Sequence, residues 1–144
     1  MSARTNTYPV MVDTNIIIYS TDKTSGAKHE ASIALLGDLI EQGTLALSTQ
    51  IVREYSNVYL KKLGNKDAGS LLVYLKTVLE PSVRIYETQE MIYSAVLLTV
   101  EFGISFYDAL ILQSAIDLGC ETLYTEDFQH GREYSGVKVV NPFI

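Results

Sequence analysis

The sequence predicts an α/β fold, a three-layer sandwich in which helices flank a central, mostly parallel sheet. Short apolar runs, typical of buried strands, alternate with longer segments whose apolar residues recur every three or four positions. Glycine and proline stand between these segments rather than inside them. A parallel sheet with helices on both faces is the arrangement that buries strands of this kind.

The individual elements follow from the local pattern of the sequence. Short apolar or β-branched runs predict strands at residues 10–12, 44–47, 82–86, 121–124 and 137–140. Helical spacing of apolar residues predicts helices at residues 28–41, 50–63, 66–79, 89–102 and 105–118. All five helices end at a glycine or shortly before a proline, namely Gly43, Gly64, Pro81, Gly103 and Gly119.

Composition predicts one domain over residues 1–144 that works in the cytoplasm without a membrane. Hydrophobic residues make up 47% of the chain and charged residues 19%, which is enough apolar surface for a core. The longest stretch without a charged residue, 42–52, is far shorter than the roughly 18–20 residues of a membrane-spanning helix. The first residues lack the apolar segment of a secretory signal, and a single cysteine, Cys120, fits a reducing compartment.

Four carboxylates stand where such a sheet places its ligand site. Asp13 directly follows the first predicted strand, and Asp127 lies just beyond the strand at 121–124. Glu54 and Asp108 lie in the first turns of predicted helices. Because the ligand site of an open α/β sheet lies beyond the carboxyl ends of its strands, these side chains are candidates for one cleft. Oxygen ligands without histidine or cysteine suit a hard cation, Mg²⁺ or Mn²⁺.

Each of these carboxylates also fits a purely structural role. Asp13 and Asp127 are placed to cap the segments that follow them, and Glu54 fits a solvated helix surface. Asp108 completes an S-x-x-D capping box that begins at Ser105. Spacing alone therefore leaves the structural and the metal-binding interpretations open.

The carboxylates lie in four short motifs: VDTN at 12–15, LSTQIVREY at 47–55, ISFYDALI at 104–111 and LYTEDFQHG at 123–131. In order and spacing these motifs resemble the successive motifs of PIN-domain nucleases. The closest resemblance is to the VapC-type toxins of bacterial toxin–antitoxin pairs, and it covers nearly the whole chain. Tyr107 stands where relatives often carry tryptophan.

The resemblance implies a PIN-like fold and a metal-dependent endoribonuclease that hydrolyses RNA phosphodiester bonds with Mg²⁺ or Mn²⁺. It implies the toxin of a type II toxin–antitoxin pair, neutralised by a cognate antitoxin protein, and a homodimer. The residues that match the family's catalytic and metal-binding quartet are Asp13, Glu54, Asp108 and Asp127, and those that match its supporting polar positions are Asn15 and Thr125.

The net charge of −6 argues against a broad basic surface that binds nucleic acid by charge alone. Setting the quartet aside from the 17 acidic residues leaves 13 acidic residues against 11 basic ones. Because bound divalent ions offset the charge of the quartet, an RNA substrate is compatible with this balance. Tyr19 and Tyr107, near the carboxylates, are the candidates for base stacking. Tyr55, Tyr59 and Tyr93, on helical faces, add to the expectation of a homodimer.

Other functions fit the fold class less well. An aspartate-nucleophile phosphatase needs D-x-D after the first strand, where residues 13–15 read D-x-N. A phosphorylated receiver domain needs an aspartate after the third strand, where Tyr86 and Glu87 stand. A PIN-fold RNA-processing enzyme, or a non-catalytic module that binds RNA or protein, remains the alternative to a toxin. Loss of an acidic position would indicate the non-catalytic module, and all four positions are present.

Overall fold

The computed structural model describes residues 8–63 and 67–144. These residues divide into two units. The first combines the described part of Met1–Ala46 with Ala115–Ile144, and the second is Leu47–Ser114. The single domain expected over residues 1–144 stays a prediction.

The strands and helices alternate along the chain as the sequence predicts. The strands are β1 (Val10–Val12), β2 (Leu45–Ser48), β3 (Val83–Ile85), β4 (Thr122–Tyr124), β5 (Glu133–Tyr134) and β6 (Val137–Val140). The helices are α1 (Thr14–Thr21), α2 (Ala27–Gln42), α3 (Thr49–Leu63), α4 (Ala68–Tyr74), α5 (Gln89–Phe102) and α6 (Phe106–Asp117). The described residues also contain three short helical turns. Two are 3₁₀ turns, at Lys23–Ser25 and Glu80–Ser82, and one is a π-helical turn at Leu75–Leu79.

The strands form a mostly parallel sheet in the order β3-β2-β1-β4-β6-β5. Only the β5–β6 pair is antiparallel among the described strands. Strand β2 runs from the first unit into the second, so that Leu45 and Ala46 pair with β1 while Leu47 and Ser48 pair with β3. The central, mostly parallel sheet flanked by helices confirms the predicted fold class.

In the first unit α1 packs against α2. Met11 and Val12 of β1 are fully buried, as are Ile16 and Ile17 of α1. Helix α1 was not predicted, because isoleucines 16–18 form a β-branched run that favours a strand over a helix. The helix forms because Asp13 accepts a hydrogen bond at its N-terminus and because burial of its isoleucines outweighs their low helix propensity.

Strand β5 was also not predicted from the sequence. It contains two residues and pairs with β6 through a tight turn at Ser135 and Gly136, both with positive φ angles of 50° and 86°. Such a turn matches the twist of an antiparallel pair. A strand of this length is too short to show an alternating pattern.

The second unit buries side chains from α3, α4, α5 and α6, including Ile51, Leu71, Leu98 and Leu112.

The continuous helix predicted at 66–79 is wrong in its second half, because α4 ends at Tyr74 and a wider π-helical turn follows. Helical periodicity does not distinguish these two windings. Gly64, the predicted end of α3, and Lys66, the predicted start of the next helix, lie outside the described residues.

Among the described residues, no single helix combines the length and the apolar character that a membrane span requires. Helices α5 and α6 meet the requirement only as a pair, with a bend of 112° between them.

Candidate active site

Asp13 lies at the junction between β1 and α1. Its backbone amide donates a hydrogen bond to the carbonyl oxygen of Tyr124 over 2.8 Å, which continues the β1–β4 ladder by one residue. Its carboxylate oxygen Oδ1 accepts a hydrogen bond from the amide of Thr14 over 2.7 Å. The side chain is 3% exposed. Asp13 therefore does cap a helix, as one interpretation of the sequence expects, and its burial at the end of the central strand goes beyond what capping needs.

Thr125 connects the two carboxylates of the first unit. Its hydroxyl donates a hydrogen bond to Oδ2 of Asp13 over 2.8 Å and accepts one from the amide of Asp127 over 3.1 Å. The side chain is fully buried. The Nδ2 amide of Asn15 donates to Oδ2 of Asp127 over 3.1 Å and lies 3.5 Å from the Thr125 hydroxyl. The predicted supporting residues thus hold Asp13 and Asp127 in a fixed arrangement.

The two held carboxylates are close enough to share a cation. An oxygen of Asp13 lies within 4.8 Å of an oxygen of Asp127. The Oδ1 atom of Asn15 is buried and, within the described part of the chain, has no hydrogen-bond partner. Carboxylate and amide oxygens are the ligands that Mg²⁺ and Mn²⁺ prefer. The residues of the first unit therefore fit a hard divalent cation.

Glu126, the acidic residue next to Asp127, interacts with other side chains. It accepts a hydrogen bond from the hydroxyl of Tyr19 and forms an ion pair with Lys28, whose Nζ lies 2.8 Å from Oε2. Partial burial by itself favours the neutral acid, but the hydrogen bonds from Lys28 and Tyr19 outweigh it and lower the pKa of Glu126. The same hydrogen bonds raise the pKa of Lys28 and that of Tyr19. Asp127, unlike its neighbour, faces the Asn15 amide.

Glu54 lies in α3 of the second unit and is held by a buried amide. The Nε2 atom of Gln50 donates to Oε1 of Glu54 over 2.7 Å and to the backbone carbonyl of Tyr107 over 3.1 Å. Gln50 is 2% exposed. Glu54 is half-buried rather than part of a fully solvated surface. Sequence reasoning missed the role of Gln50, whose only signal was its position one helical turn before Glu54.

Asp108 lies in the first turn of α6 and is half-buried. Its amide donates to the hydroxyl of Ser105 over 3.2 Å, which forms the serine half of the predicted capping box. An aspartate in the first turn also interacts favourably with the helix dipole. The geometry of α6 is thus compatible with both interpretations of this residue.

Both histidines of the chain, His29 and His130, lie within hydrogen-bond distance of backbone groups. His130 accepts a hydrogen bond at Nδ1 from the amide of Asn141 over 3.0 Å. Nδ1 of His29 lies 2.8 Å from the carbonyl oxygen of Tyr19. Cys120 is buried, which fits its small apolar side chain.

Comparison with known proteins shows where this fold belongs. A model of the PIN domain family matches residues 10–132. Similar solved structures include a toxin–antitoxin complex from Klebsiella pneumoniae, with a TM-score of 0.61 and 23% identity over 92% of this chain and 97% of that chain. VapC20 from Mycobacterium tuberculosis, described as a sarcin–ricin loop cleaving toxin, has a TM-score of 0.61 and 17% identity over 82% of this chain and 91% of its own.

A third similar structure is VapBC2 from Rickettsia felis bound to a DNA fragment from its promoter, with a TM-score of 0.60 and 23% identity over 82% of this chain and 87% of that chain. A search of curated proteins finds no significant match. Because the family model covers most of the sequence, the chain belongs to the PIN domain family. At these identities the solved structures show a shared fold.

Proposed function

We propose that the protein is a metal-dependent endoribonuclease that hydrolyses RNA phosphodiester bonds. The observation that carries this proposal is the bridge that Thr125 forms between Asp13 and Asp127, in a chain that belongs to the PIN domain family. Two carboxylates held by a buried threonine and a half-buried asparagine, beyond parallel strands, are what a cation site at this edge of a sheet requires.

In this proposal the predicted quartet binds one or two Mg²⁺ or Mn²⁺ ions. The ion, when bound, supplies a water molecule of lowered pKa and neutralises charge on the phosphoryl oxygens. The chain supplies ligands of fixed orientation: Thr125 and Asn15 orient the first pair, and Gln50 orients Glu54.

We further propose that this ribonuclease is the toxin of a type II toxin–antitoxin pair that acts in the cytoplasm. The fold is shared with a toxin–antitoxin complex and with an RNA-cleaving toxin, which supports this assignment over other PIN functions. The cognate antitoxin is then a separate protein that binds this chain. A non-catalytic module would not need the hydrogen bonds that orient Asp13, Glu54 and Asp127.

A homodimer is part of the proposal because α5 exposes an apolar stripe. Tyr93, Val96, Leu97 and Val100 recur at helical spacing and are 59%, 48%, 70% and 84% exposed. Such a stripe on the surface is typical of an interface. Of the tyrosines named from the sequence for a dimer, Tyr93 lies in this stripe. Tyr55 is 3% exposed and packs against the ring of Tyr74, so its expected place on an exposed helical face was wrong.

The direct test of the proposed function is cleavage of total cellular RNA by the purified protein with Mg²⁺ or Mn²⁺. We expect the parent to cut and Asp127→Asn to be inactive. Glu121→Gln, which removes an exposed carboxylate outside the quartet, serves as the matched control and should cut like the parent. Absence of cleavage by the parent against any RNA pool would refute the proposal.

A further inference from the structure

The second unit contains an open cleft of about 790 Å³ beside Glu54. Aromatic, aliphatic and polar side chains all line it. The lining residues that carry the argument are Arg53, Asn57, Glu87, Ile92, Phe106 and Tyr107. The function proposed above gives a role to Glu54 but leaves the rest of this cleft without one.

Two aromatic rings stand at the start of α6. Tyr107 is 63% exposed, although it lies beside the buried Leu110 in the same wall. The ring of Phe106 meets the Tyr107 ring edge-to-face, with 5.6 Å between the ring centroids. The backbone of Tyr107 is fixed by the hydrogen bond from Gln50 to its carbonyl oxygen. The cleft therefore presents an exposed ring on a fixed backbone, which is the form of a stacking platform.

The polar side chains that line the cleft include one amide and carry a net negative charge. The side-chain amide of Asn57 is exposed and makes no hydrogen bond within the described part of the chain. Arg53 pairs with Glu87 at 3.3 Å. Because Glu54 adds a further carboxylate, the charges lining the cleft sum to a negative value, which disfavours a phosphate group as the occupant. A neutral, flat group with hydrogen-bonding edges suits this lining.

We propose that the cleft binds one unstacked nucleobase of a single-stranded RNA, with the Tyr107 ring stacked on the base and the Asn57 amide hydrogen-bonded to its edge. This inference rests on the proposed ribonuclease function and names the structural form of its substrate. Bases of single strands and loops are open to stacking on aromatic rings, whereas bases in an A-form duplex are not. The cleft thus selects an unpaired segment next to Glu54.

The test measures RNA affinity in the Asp127→Asn background with Mg²⁺ present, so that binding is separated from cleavage. The probe is a short fluorescein-labelled RNA, used as a single strand and as the matching duplex, and followed by fluorescence anisotropy. The comparison covers Tyr107→Ala, Tyr107→Trp and Asn57→Ala. Tyr86→Ala serves as the matched control, since Tyr86 is 68% exposed and lines a different groove of the same unit. Thermal melting verifies that each variant is folded.

We expect Tyr107→Ala to weaken single-strand binding about 5- to 100-fold, the effect of losing one base–aromatic stack, and to leave duplex binding unchanged. Tyr107→Trp should bind as the parent does or more tightly, Asn57→Ala should bind more weakly, and Tyr86→Ala should match the parent. Equal affinities of Tyr107→Ala and Tyr86→Ala, with RNA cleavage by the wild-type chain intact, would overturn this inference alone. A wild-type chain that neither binds nor cleaves RNA would overturn the proposed function with it.

Discussion

The hydroxyl of Thr125 donates a hydrogen bond over 2.8 Å to Oδ2 of Asp13, a residue 112 positions earlier in the chain. The contact follows from strand pairing, because Val12 and Tyr124 are in register across β1 and β4 and the two residues come next on each strand. Both side chains are buried. Since the same hydroxyl accepts from the amide of Asp127, one threonine sets the positions of two candidate metal ligands.

Replacement of Thr125 by valine should therefore damage the site while keeping the shape of the side chain. We expect metal affinity and RNA cleavage to fall about 10- to 100-fold, the usual effect of removing a residue that orients a metal ligand. The variant should also lose about 1–3 kcal/mol of unfolding free energy, because Asp13 keeps a buried oxygen without its donor. Thr125→Ser, which retains the hydroxyl, should keep a metal affinity and a rate of RNA cleavage within a few-fold of those of the parent. Equal activity of the valine and serine variants would show that the hydroxyl does not orient the site.

Replacement of Asp108 by asparagine distinguishes a metal ligand from a helix cap. If Asp108 shares the proposed quartet, removal of one like charge should leave the metal-free variant as stable as the parent or more so. Only the parent should then be stabilised strongly by Mg²⁺. Its unfolding free energy should rise by about 1.4 kcal/mol at a Mg²⁺ concentration ten times the Kd. If Asp108 is a cap, the variant should lose roughly 0.5–1 kcal/mol with and without metal. Thermal melting of both proteins in EDTA and in Mg²⁺ decides between these outcomes.

The ion pair between Lys28 and Glu126 should make stability depend on pH in a defined direction. The pKa of Glu126 is lowered in the folded protein from its ordinary value of 4.5, so its contribution is present above that value and is lost as the pH falls through the folded-state pKa. Urea unfolding should show that the parent has a higher free energy of unfolding than Glu126→Gln at neutral pH. This difference should shrink as the pH is lowered. A difference that stays constant well below 4.5 would contradict this assignment.

The apolar stripe on α5 should mediate self-association. We expect the parent to be a dimer at micromolar concentration and Leu97→Glu to be a monomer, because a charge cannot be buried in an apolar interface without a partner. Light scattering measures both masses. Glu41→Gln, a change at an exposed residue of a different helix, α2, should leave the dimer intact. A monomeric parent across this range would refute the homodimer.

The fold was largely predictable because many elements carry their own boundary signals. Helix α5 has the predicted bounds, Gln89–Phe102, since Thr88 caps its first turn and Gly103 closes it with a positive φ of 64°. Strand β2 begins one residue later than predicted. The amide of Thr44 donates to the carbonyl of Leu39 at the end of α2, while the Thr44 carbonyl accepts from the amide of Val10 in β1. Helix α1 and strand β5 depend on tertiary burial and on a turn conformation, which a pattern of apolar residues does not contain.

The candidate site was predictable in its residue types but not in its supporting contacts. Four acidic positions and two polar ones could be named from their motifs, and their assignment to one metal site stays a proposal. The bond from Gln50 to the Tyr107 carbonyl joins residues 57 positions apart, so no local pattern indicates it. The engagement of Glu126 by Tyr19 and Lys28 likewise depends on how three elements pack.

The most direct test of the central claim is RNA cleavage by metal-stripped protein to which single metals are returned. The proposal requires that the protein be inactive in EDTA and that Mg²⁺ or Mn²⁺ restore cleavage, because the candidate ligands are oxygen atoms alone. Asp13→Asn, treated in the same way, should remain inactive after either metal is added. Cleavage that persists in EDTA, or that Asp13→Asn performs as well as the parent, would contradict the account.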